Sequence, residues 1–206
     1  MRLTPLYYIM IRKDIVYFEK AGEQNTDDTI MLALKRAKEL HLQYLVVATS
    51  SGATGLKSAK AFKGSGINVI VVGHQVGFSK PGVDEMEESN AREIKDLGAV
   101  IIRQTHALSA VERSISRRIG GASRTEAISE ALRTLLSNGA KVCVEITIMA
   151  SDGGCIPVDG KTEVMAIGGT WGGADTACVM LPAHANNFFD MQIREIVAMP
   201  RDKSRP

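Results

Sequence analysis

Cysteine is scarce in this chain, and its few cysteines follow no disulfide or zinc pattern. Only three of the 206 residues are cysteine, namely Cys143, Cys155 and Cys178, and no two of them form a Cys-x-x-Cys pair. An odd number without paired spacing argues against both a disulfide framework and a zinc ribbon. We expect reduced, mostly buried thiols, as in cytosolic proteins.

Long apolar runs and an excess of one charge are also missing. No segment approaches the roughly 20 uninterrupted apolar residues that a membrane-spanning helix needs. The apolar amino-terminal segment 1–11 lacks the Ala-x-Ala pattern of a cleaved leader. With 25 Lys and Arg against 23 Asp and Glu, the net charge is +2, which gives little attraction to nucleic acid. The sequence therefore predicts a cytoplasmic protein that binds neither a membrane nor nucleic acid.

Strands and helices alternate along the first half of the chain. β-branched and aromatic residues predict a first strand at 14–19, and an amphipathic helix follows the capping residue Asn25. Three continuous apolar runs are typical of strands buried on both faces: 44–48, 67–72 and 99–102. The segments between them are predicted helices, at 55–62 and 85–97. This order predicts βαβ units and a parallel sheet.

The second half is predicted to complete the same sheet. Two helices between 108 and 136 are separated at Gly120–Gly121, and Ser123 is a suitable cap for the second. Four later segments are predicted strands: 141–149, 163–167, 177–181 and 192–198. Their close spacing indicates an antiparallel or mixed section. We expect one domain over residues 1–206, a three-layer α/β/α fold with a mostly parallel sheet.

A polar loop at 49–55 follows the first buried strand and opens a helix. It contains four hydroxyl side chains and two glycines. Unpaired N–H groups at a helix start attract a phosphate, and glycines let the backbone approach it. The alternative is an ordinary strand-to-helix turn with Ser and Thr caps. We interpret the loop as an anion site, formed by Ser50, Ser51, Gly52, Thr54 and Gly55.

The next two predicted strand ends also carry polar residues. In open α/β sheets ligands bind beyond the carboxyl ends of the strands, so these ends are expected to lie beside the first loop. A solvated histidine in a polar loop is an equal alternative for His74. The candidates at these ends are His74, Gly77, Phe78, Thr105 and His106. Asn25 and Thr26 are expected to approach the same ligand from the start of the first helix.

Four glycines surround the only tryptophan of the chain in segment 168–176. Trp171 is suited to stack on a planar ring, so Gly169, Thr170 and Trp171 are further candidates. The alternative is a glycine-rich hairpin in which Trp171 covers the core.

Glu145 and Asp152 suggest a carboxylate pair for acid–base work or a metal, although a turn at Asp152-Gly153-Gly154 is the stronger interpretation. No histidine stands at ligand spacing, so we predict no metal site. A hydrolase or lyase that uses His106 and Asp152 is a further alternative, but no nucleophile–base pair supports it. The sequence assigns no catalytic residue.

Segment 45–62, with the strand at 69–72, resembles the carboxyl-terminal α/β domain of pyruvate kinase. Thr49, Ser51 and Gly52 match that family's Thr-x-Ser-Gly loop, which holds a phosphate of a sugar-bisphosphate effector. Ser50 and Ala53 stand where the regulated enzymes often have Lys and Arg, which argues against a doubly charged sugar. The resemblance does not cover the barrel domain that transfers the phosphoryl group, so it implies no pyruvate kinase activity.

Motifs along nearly the whole chain are similar to stand-alone archaeal-type proteins of the same superfamily. They lie at 18–26, 51–54, 77–78, 105–109, 141–145, 149–150 and 168–176. This resemblance implies flavin mononucleotide (FMN) as the ligand, its phosphate on the Ser/Thr/Gly loop and its ring against glycine-rich, aromatic walls. We therefore predict a protein that binds a phosphate-bearing small molecule, FMN.

The alternative is a flavin-dependent oxidoreductase of unknown substrate. Exposed strand edges are compatible with a homo-oligomer.

Overall fold

The structure is a computed structural model that describes residues 10–203. The apolar segment 1–11 lies outside the described residues except for Met10 and Ile11. Among residues 10–203, no helix combines the length and apolar character needed to cross a membrane. The three cysteines are unpaired, and Cys143 and Cys178 are buried, as expected.

Seven strands form one sheet. They are β1 Val16–Phe18, β2 Tyr44–Ala48, β3 Asn68–Gly73, β4 Val100–Arg103, β5 Val164–Gly168, β6 Thr176–Leu181 and β7 Gln192–Pro200. Their spatial order is β1-β7-β6-β5-β2-β3-β4, and β6 is antiparallel to both of its neighbours while the other pairs are parallel. The carboxyl ends of six strands therefore meet at one edge. The prediction of a mostly parallel sheet with an antiparallel section is confirmed.

Helices cover both faces of this sheet. Within residues 10–203 they are α1 Thr26–Glu39, α2 Ala53–Phe62, α3 Glu88–Asp96, α4 Ala110–Ile119, α5 Arg124–Leu135 and α6 Asn138–Asp152. α1, α2 and α3 share an apolar core with one face, and α6 shares a second core with the other face, with α5 packed beside it. The fold is thus the expected three-layer α/β/α arrangement.

Side chains of the central strands alternate between these two cores. Leu45 and Val47 of β2 lie in the core beneath α1 and α2, where Phe62 is also buried. Val46 points to the opposite face and packs in the same core as Ile146 of α6. Both faces of β2 are therefore apolar, which explains why its sequence shows no alternation.

Segment 141–149, a predicted strand, is part of the helix α6, so that prediction is wrong. Its β-branched residues favoured a strand. Twelve of the fifteen residues of α6 are buried, so no polar face marks the helical period. Ser137 caps the helix by accepting a hydrogen bond from the Ala140 N–H at 2.9 Å. A helix buried on all sides resembles a buried strand in sequence.

The connection between α4 and α5 follows the prediction. α4 ends at Ile119, and Ser123 caps α5 by accepting a hydrogen bond from the Glu126 N–H at 3.1 Å. The predicted helix at 85–97 is shorter than expected, because α3 begins only at Glu88.

Candidate functional site

The strand order changes direction beside β2. From β2 the chain continues to β3 and β4 on one side, and it then returns through α4, α5 and α6 to β5 on the other side. The helix α2 that follows β2 and the helix α6 that leads into β5 therefore lie on opposite faces of the sheet. Such a switch point opens a crevice at the carboxyl ends of the strands, where open α/β sheets bind ligands.

A cavity of about 400 Å³ occupies this crevice. Its volume falls in the range of small-molecule sites, roughly 300–1,000 Å³. The structure brings seven of the predicted site residues into its lining: Ser50, Thr54, His74, Phe78, His106, Gly169 and Trp171. Loops that follow β2, β3, β4 and β5 thus converge on one cavity, as expected from the sheet edge.

One wall of the cavity is formed by α6. It was not predicted from the sequence that residues of this segment line a ligand site. Val142, Glu145, Ile146 and Met149 line the cavity. They were predicted on a strand, where they would not share a face. The spacing of Lys141 and Glu145 was a usable signal, because opposite charges four residues apart are typical of a helix.

The loop between β2 and α2 presents unpaired backbone donors. Thr49 Oγ1 accepts a hydrogen bond from the Gly52 N–H at 3.1 Å, and this bond holds the loop in its bend. Among the described residues, no group accepts a hydrogen bond from four neighbouring N–H groups, those of Ser50, Ser51, Thr54 and Gly55. The start of α2 therefore offers the donors that an anion requires.

Three residues of this loop were predicted to contact the ligand but do not line the cavity. They determine the shape of the loop. Gly52 has a φ of 95°, and a Cβ there would lie 2.7 Å from Asn90 Cβ. Gly55 is packed against β3, where a Cβ would lie 2.6 Å from Val71 Cγ1. Ser51 Oγ faces its own helix start and accepts a hydrogen bond from the Ala53 N–H at 3.4 Å.

Asn25 and Thr26 do not reach the cavity, because their side chains are used inside the protein. Asn25 Nδ2 donates to the Lys20 carbonyl at 2.8 Å. Thr26 Oγ1 donates to the Glu23 carbonyl at 2.6 Å and accepts from the Ala174 N–H at 3.0 Å. Thr26 anchors the loop after β5 to the start of α1, and Asn25 holds the segment that precedes α1.

The loop that joins β5 to β6 places Trp171 at the cavity rim. The two strands form a hairpin, but Trp171 is 75% exposed, so the alternative in which it covers the core is wrong. Gly169 lies so close to Gly173 that a Cβ on it would be 2.1 Å from the Gly173 carbonyl oxygen. Thr54 Oγ1 donates to the Gly172 carbonyl at 3.4 Å, which joins this loop to the start of α2.

Thr170 lies outside the cavity lining. It is buried beside Asp175, whose carboxyl also accepts a hydrogen bond from the Gly22 N–H at 3.1 Å. Burial raises the pKa of Asp175, although the hydroxyls of Thr170 and Thr176 oppose this shift. Thr170 is thus packed inside the loop beside Asp175 and does not line the cavity.

His74, Phe78 and His106 form an aromatic cluster on the cavity wall. The ring centroids are 4.2 Å apart for His74 and Phe78, 4.8 Å for Phe78 and His106, and 5.2 Å for the two histidines. His74 Nδ1 is paired with Glu85, which also accepts a hydrogen bond from the Ser79 hydroxyl. The hydrogen bonds of Ser79 and His74 to the Glu85 carboxylate hold the pKa of Glu85 below its usual value.

Gly77 and Thr105 lie outside the cavity lining. Gly77 has a φ of 82° and supplies a turn, in which its N–H donates to the Val83 carbonyl at 2.9 Å. Thr105 is exposed to solvent. Gly77 thus shapes the turn next to Phe78, which does line the cavity.

Lys141 and Glu145 form a buried ion pair beside the cavity. Glu145 Oε1 also accepts a hydrogen bond from the Leu108 N–H at 3.0 Å. Burial raises the pKa of Glu145, but the charge and hydrogen bond of Lys141, with smaller contributions from His106 and the Leu108 N–H, together hold the pKa below its usual value. Burial also lowers the pKa of Lys141.

The proposed carboxylate pair of Glu145 and Asp152 is wrong. Seven residues along one helix separate them by roughly 10 Å. Asp152 Oδ1 instead accepts hydrogen bonds from the Ala185 N–H at 3.2 Å and pairs with His184 Nδ1 at 3.0 Å. His106 lines the cavity but Asp152 does not. The hydrolase or lyase alternative, which needs His106 and Asp152 in one site, is therefore not supported. Among residues 10–203, no cluster of His, Cys, Asp and Glu is arranged to hold a metal ion.

His106 is expected to make stability depend on pH. Burial lowers its pKa from 6.5 to about 4. The folded state therefore binds fewer protons than the unfolded state between these values. The stability that this group contributes is present above pH 6.5 and is lost as the pH falls toward 4. At pH 5 the loss is about 2 kcal/mol relative to pH 7.

The variant His106→Gln removes this titration, so its free energy of unfolding is expected to fall less between pH 7 and pH 5 than that of the unmodified protein. Urea unfolding at the two pH values measures both differences. His41→Asn, at an exposed turn, is the control and is expected to keep the original pH dependence. An unchanged pH dependence in His106→Gln would contradict the role given to His106.

Comparison with known proteins yields a limited likeness in fold. No protein-family model matches the chain. The chain is similar to a hydrogen sulfide-producing enzyme from Fusobacterium nucleatum, with 22% identity and a TM-score of 0.29, over 53% of this chain and 28% of that enzyme. It is also similar to O-ureido-L-serine synthase, with 12% identity and a TM-score of 0.30, over 68% of this chain and 50% of that enzyme. The chain thus spans between 28% and 50% of the lengths of these enzymes, and the similarity concerns only the α/β arrangement.

Proposed function

We propose that this protein binds a phosphate-bearing small molecule with a planar ring, FMN, in the cavity at the switch point of the sheet. The observation that carries the proposal is the combination of unpaired donors at the start of α2 with an aromatic rim across the same cavity. The resemblance to stand-alone archaeal-type proteins of the superfamily of the pyruvate kinase carboxyl-terminal domain is part of this proposal and supplies the identity of the flavin.

The start of α2 would hold the phosphate. Ser50 and Thr54 line the cavity, and the backbone N–H groups of both are unpaired among the described residues. No Lys or Arg belongs to the described lining of this cavity. The positive end of the helix and neutral donors therefore supply the attraction for the anion.

The remaining lining of the cavity would hold the ring. Trp171 and Phe78 offer aromatic faces at the rim, and Val142, Ile146 and Met149 of α6 form an apolar wall. A planar isoalloxazine ring is suited to stacking on aromatic side chains while it covers aliphatic ones. The lining thus combines a polar loop, suited to the phosphate of FMN, with aromatic and apolar side chains suited to its ring.

The test is a titration of the purified protein with FMN. Trp171 is the only tryptophan and lies at the cavity rim, so FMN binding is expected to quench the intrinsic fluorescence. Isothermal titration calorimetry provides an independent affinity, and mass spectrometry of the native protein identifies any molecule that copurifies. Absence of both quenching and binding heat would refute FMN as the ligand.

Trp171→Ala is expected to weaken FMN binding without a loss of stability. Stacking of an aromatic side chain on a base contributes about 1–3 kcal/mol, so the affinity should fall roughly 5- to 150-fold. Because Trp171 is 75% exposed, its removal should leave the urea unfolding midpoint unchanged. Calorimetry measures the affinity. Phe189→Ala, which removes a 90% exposed aromatic outside the cavity lining, is the control and should bind FMN normally. Equal affinities of the two variants would contradict the stacking role.

A flavin-dependent oxidoreductase is the second function that we propose to test. It is favoured by a second concave site on the other side of Phe78 and His106, which a substrate of the flavin would need. In such an enzyme the flavin carries the electrons and the protein orients both molecules. A visible absorption band that is bleached by a reductant and restored by an acceptor would support this function. A band that no acceptor restores would favour the binding function.

A further inference from the structure

A second concavity of about 380 Å³ lies beside the proposed FMN cavity. The two share Phe78 and His106, which form a wall between them. The rest of the second concavity is lined mainly by α4 along its length and by the residue before it, and this lining includes Ser109, Arg113, Arg117 and Arg118. We call these four residues the arginine subsite.

The arginine subsite carries uncompensated positive charge. Arg113 and Arg117 are four residues apart on α4, so their side chains share one face of the helix. Among the described residues, no carboxylate forms an ion pair with Arg113, Arg117 or Arg118. The Arg113 guanidinium lies 6.0 Å from the centroid of the Phe78 ring, which turns it toward the shared wall. Three guanidinium groups around one concavity repel each other unless an anion lies between them.

Ser109 is an independent indication of a ligand. Its side chain is only 5% exposed and lines the concavity, yet its Oγ has no hydrogen-bond partner among the described residues. A buried hydroxyl without a partner costs about 1–3 kcal/mol. It stands at the start of the ten-residue helix α4, where N–H groups also favour an anion. An oxyanion in the concavity would accept the hydrogen bond that Ser109 lacks.

We propose that the arginine subsite binds the phosphate group of a second small molecule, which lies beside the FMN across Phe78 and His106. Guanidinium groups bind phosphate oxygens in pairs, and the serine hydroxyl adds a neutral donor. The place of this molecule as a partner of the flavin rests on the proposed function. Phosphate binding by the subsite itself does not.

The test measures the binding of inorganic phosphate by calorimetry at low ionic strength, with and without saturating FMN. The FMN-saturated protein is expected to bind one phosphate. The double variant Arg113→Gln/Arg117→Gln should weaken this binding at least tenfold and leave FMN affinity unchanged. Arg92→Gln is the matched control, since Arg92 is an exposed residue of α3 that pairs with Glu88.

Several outcomes separate the two proposals. If FMN does not bind but the free protein binds phosphate through the two arginines, the subsite stands and FMN fails as the ligand. If the arginine variant loses FMN affinity and FMN-saturated protein binds no phosphate, the subsite holds the phosphate of FMN itself, which overturns the second-molecule proposal. Phosphate affinity that is equal in the double variant and in Arg92→Gln also overturns it.

Discussion

Ser50→Asp is expected to abolish FMN binding. Ser50 lines the cavity beside the unpaired N–H groups at the start of α2, where we place the phosphate. An aspartate there sets a negative charge against a dianion and competes for the same donors. Two unit charges 4 Å apart at a protein surface repel by about 4 kcal/mol, which corresponds to roughly a thousandfold loss of affinity. Calorimetry with FMN measures the loss.

Two variants make this experiment specific. Gln43→Glu adds one negative charge just before β2, at the opposite end of the same strand, and should leave FMN affinity unchanged. Ser50→Ala removes only the hydroxyl, and the loss of one hydrogen bond to a charged group costs about 1.5–3 kcal/mol. The expected order of affinities is therefore Gln43→Glu, then Ser50→Ala, then Ser50→Asp. If Ser50→Asp binds FMN as well as Gln43→Glu, the phosphate lies elsewhere.

Lys141→Met is expected to cause the largest loss of stability. It leaves the Glu145 carboxylate without its cation in a position that is 7% exposed. Removal of one partner of a buried ion pair costs about 3–5 kcal/mol. Burial alone would then raise the pKa of Glu145, so the loss should shrink as the pH is lowered. Urea unfolding at pH 7 and at lower pH measures both effects.

The double variant Lys141→Met/Glu145→Gln tests the cause of this loss. Glutamine has no charge but keeps an oxygen for the Leu108 N–H, so the double variant should regain part of the stability. Lys60→Met is the matched control, because Lys60 is 54% exposed and its ion pair with Glu93 is worth roughly 0–1 kcal/mol. A double variant that is less stable than Lys141→Met alone would show that the buried charge is not the cause.

The positions of most strands could be predicted because their signals are local. Tyr44–Ala48 was predicted at its observed bounds, since an apolar run of five residues between polar segments fits a strand buried on both faces. Ser123 as a helix cap was predicted for the same reason, because capping depends on a side chain and its own following turn. The convergence of the strand-end loops followed from the parallel direction of the strands.

The two main errors have different physical causes. α6 was predicted as a strand because burial on all sides removes the polar face that reveals helical period. Asn25 and Thr26 were assigned to the ligand although their side chains bond to Lys20 and Glu23, only five and three residues away. The bond between Thr26 and Ala174 depends on packing between distant segments, which no local pattern reveals.

The sequence alone thus accounts for the parallel sheet, because apolar patterning reveals buried strands. It also accounts for a loop rich in hydrogen-bond donors after β2, because the start of a helix leaves N–H groups unpaired. Packing accounts for the rest. The switch point exists because α6 returns the chain to the far side of β2, and it is this return that places Glu145 and Met149 in the cavity and leaves Trp171 exposed at its rim. Contacts between residues more than a hundred positions apart, such as that of Thr54 with Gly172, leave no local pattern in a sequence.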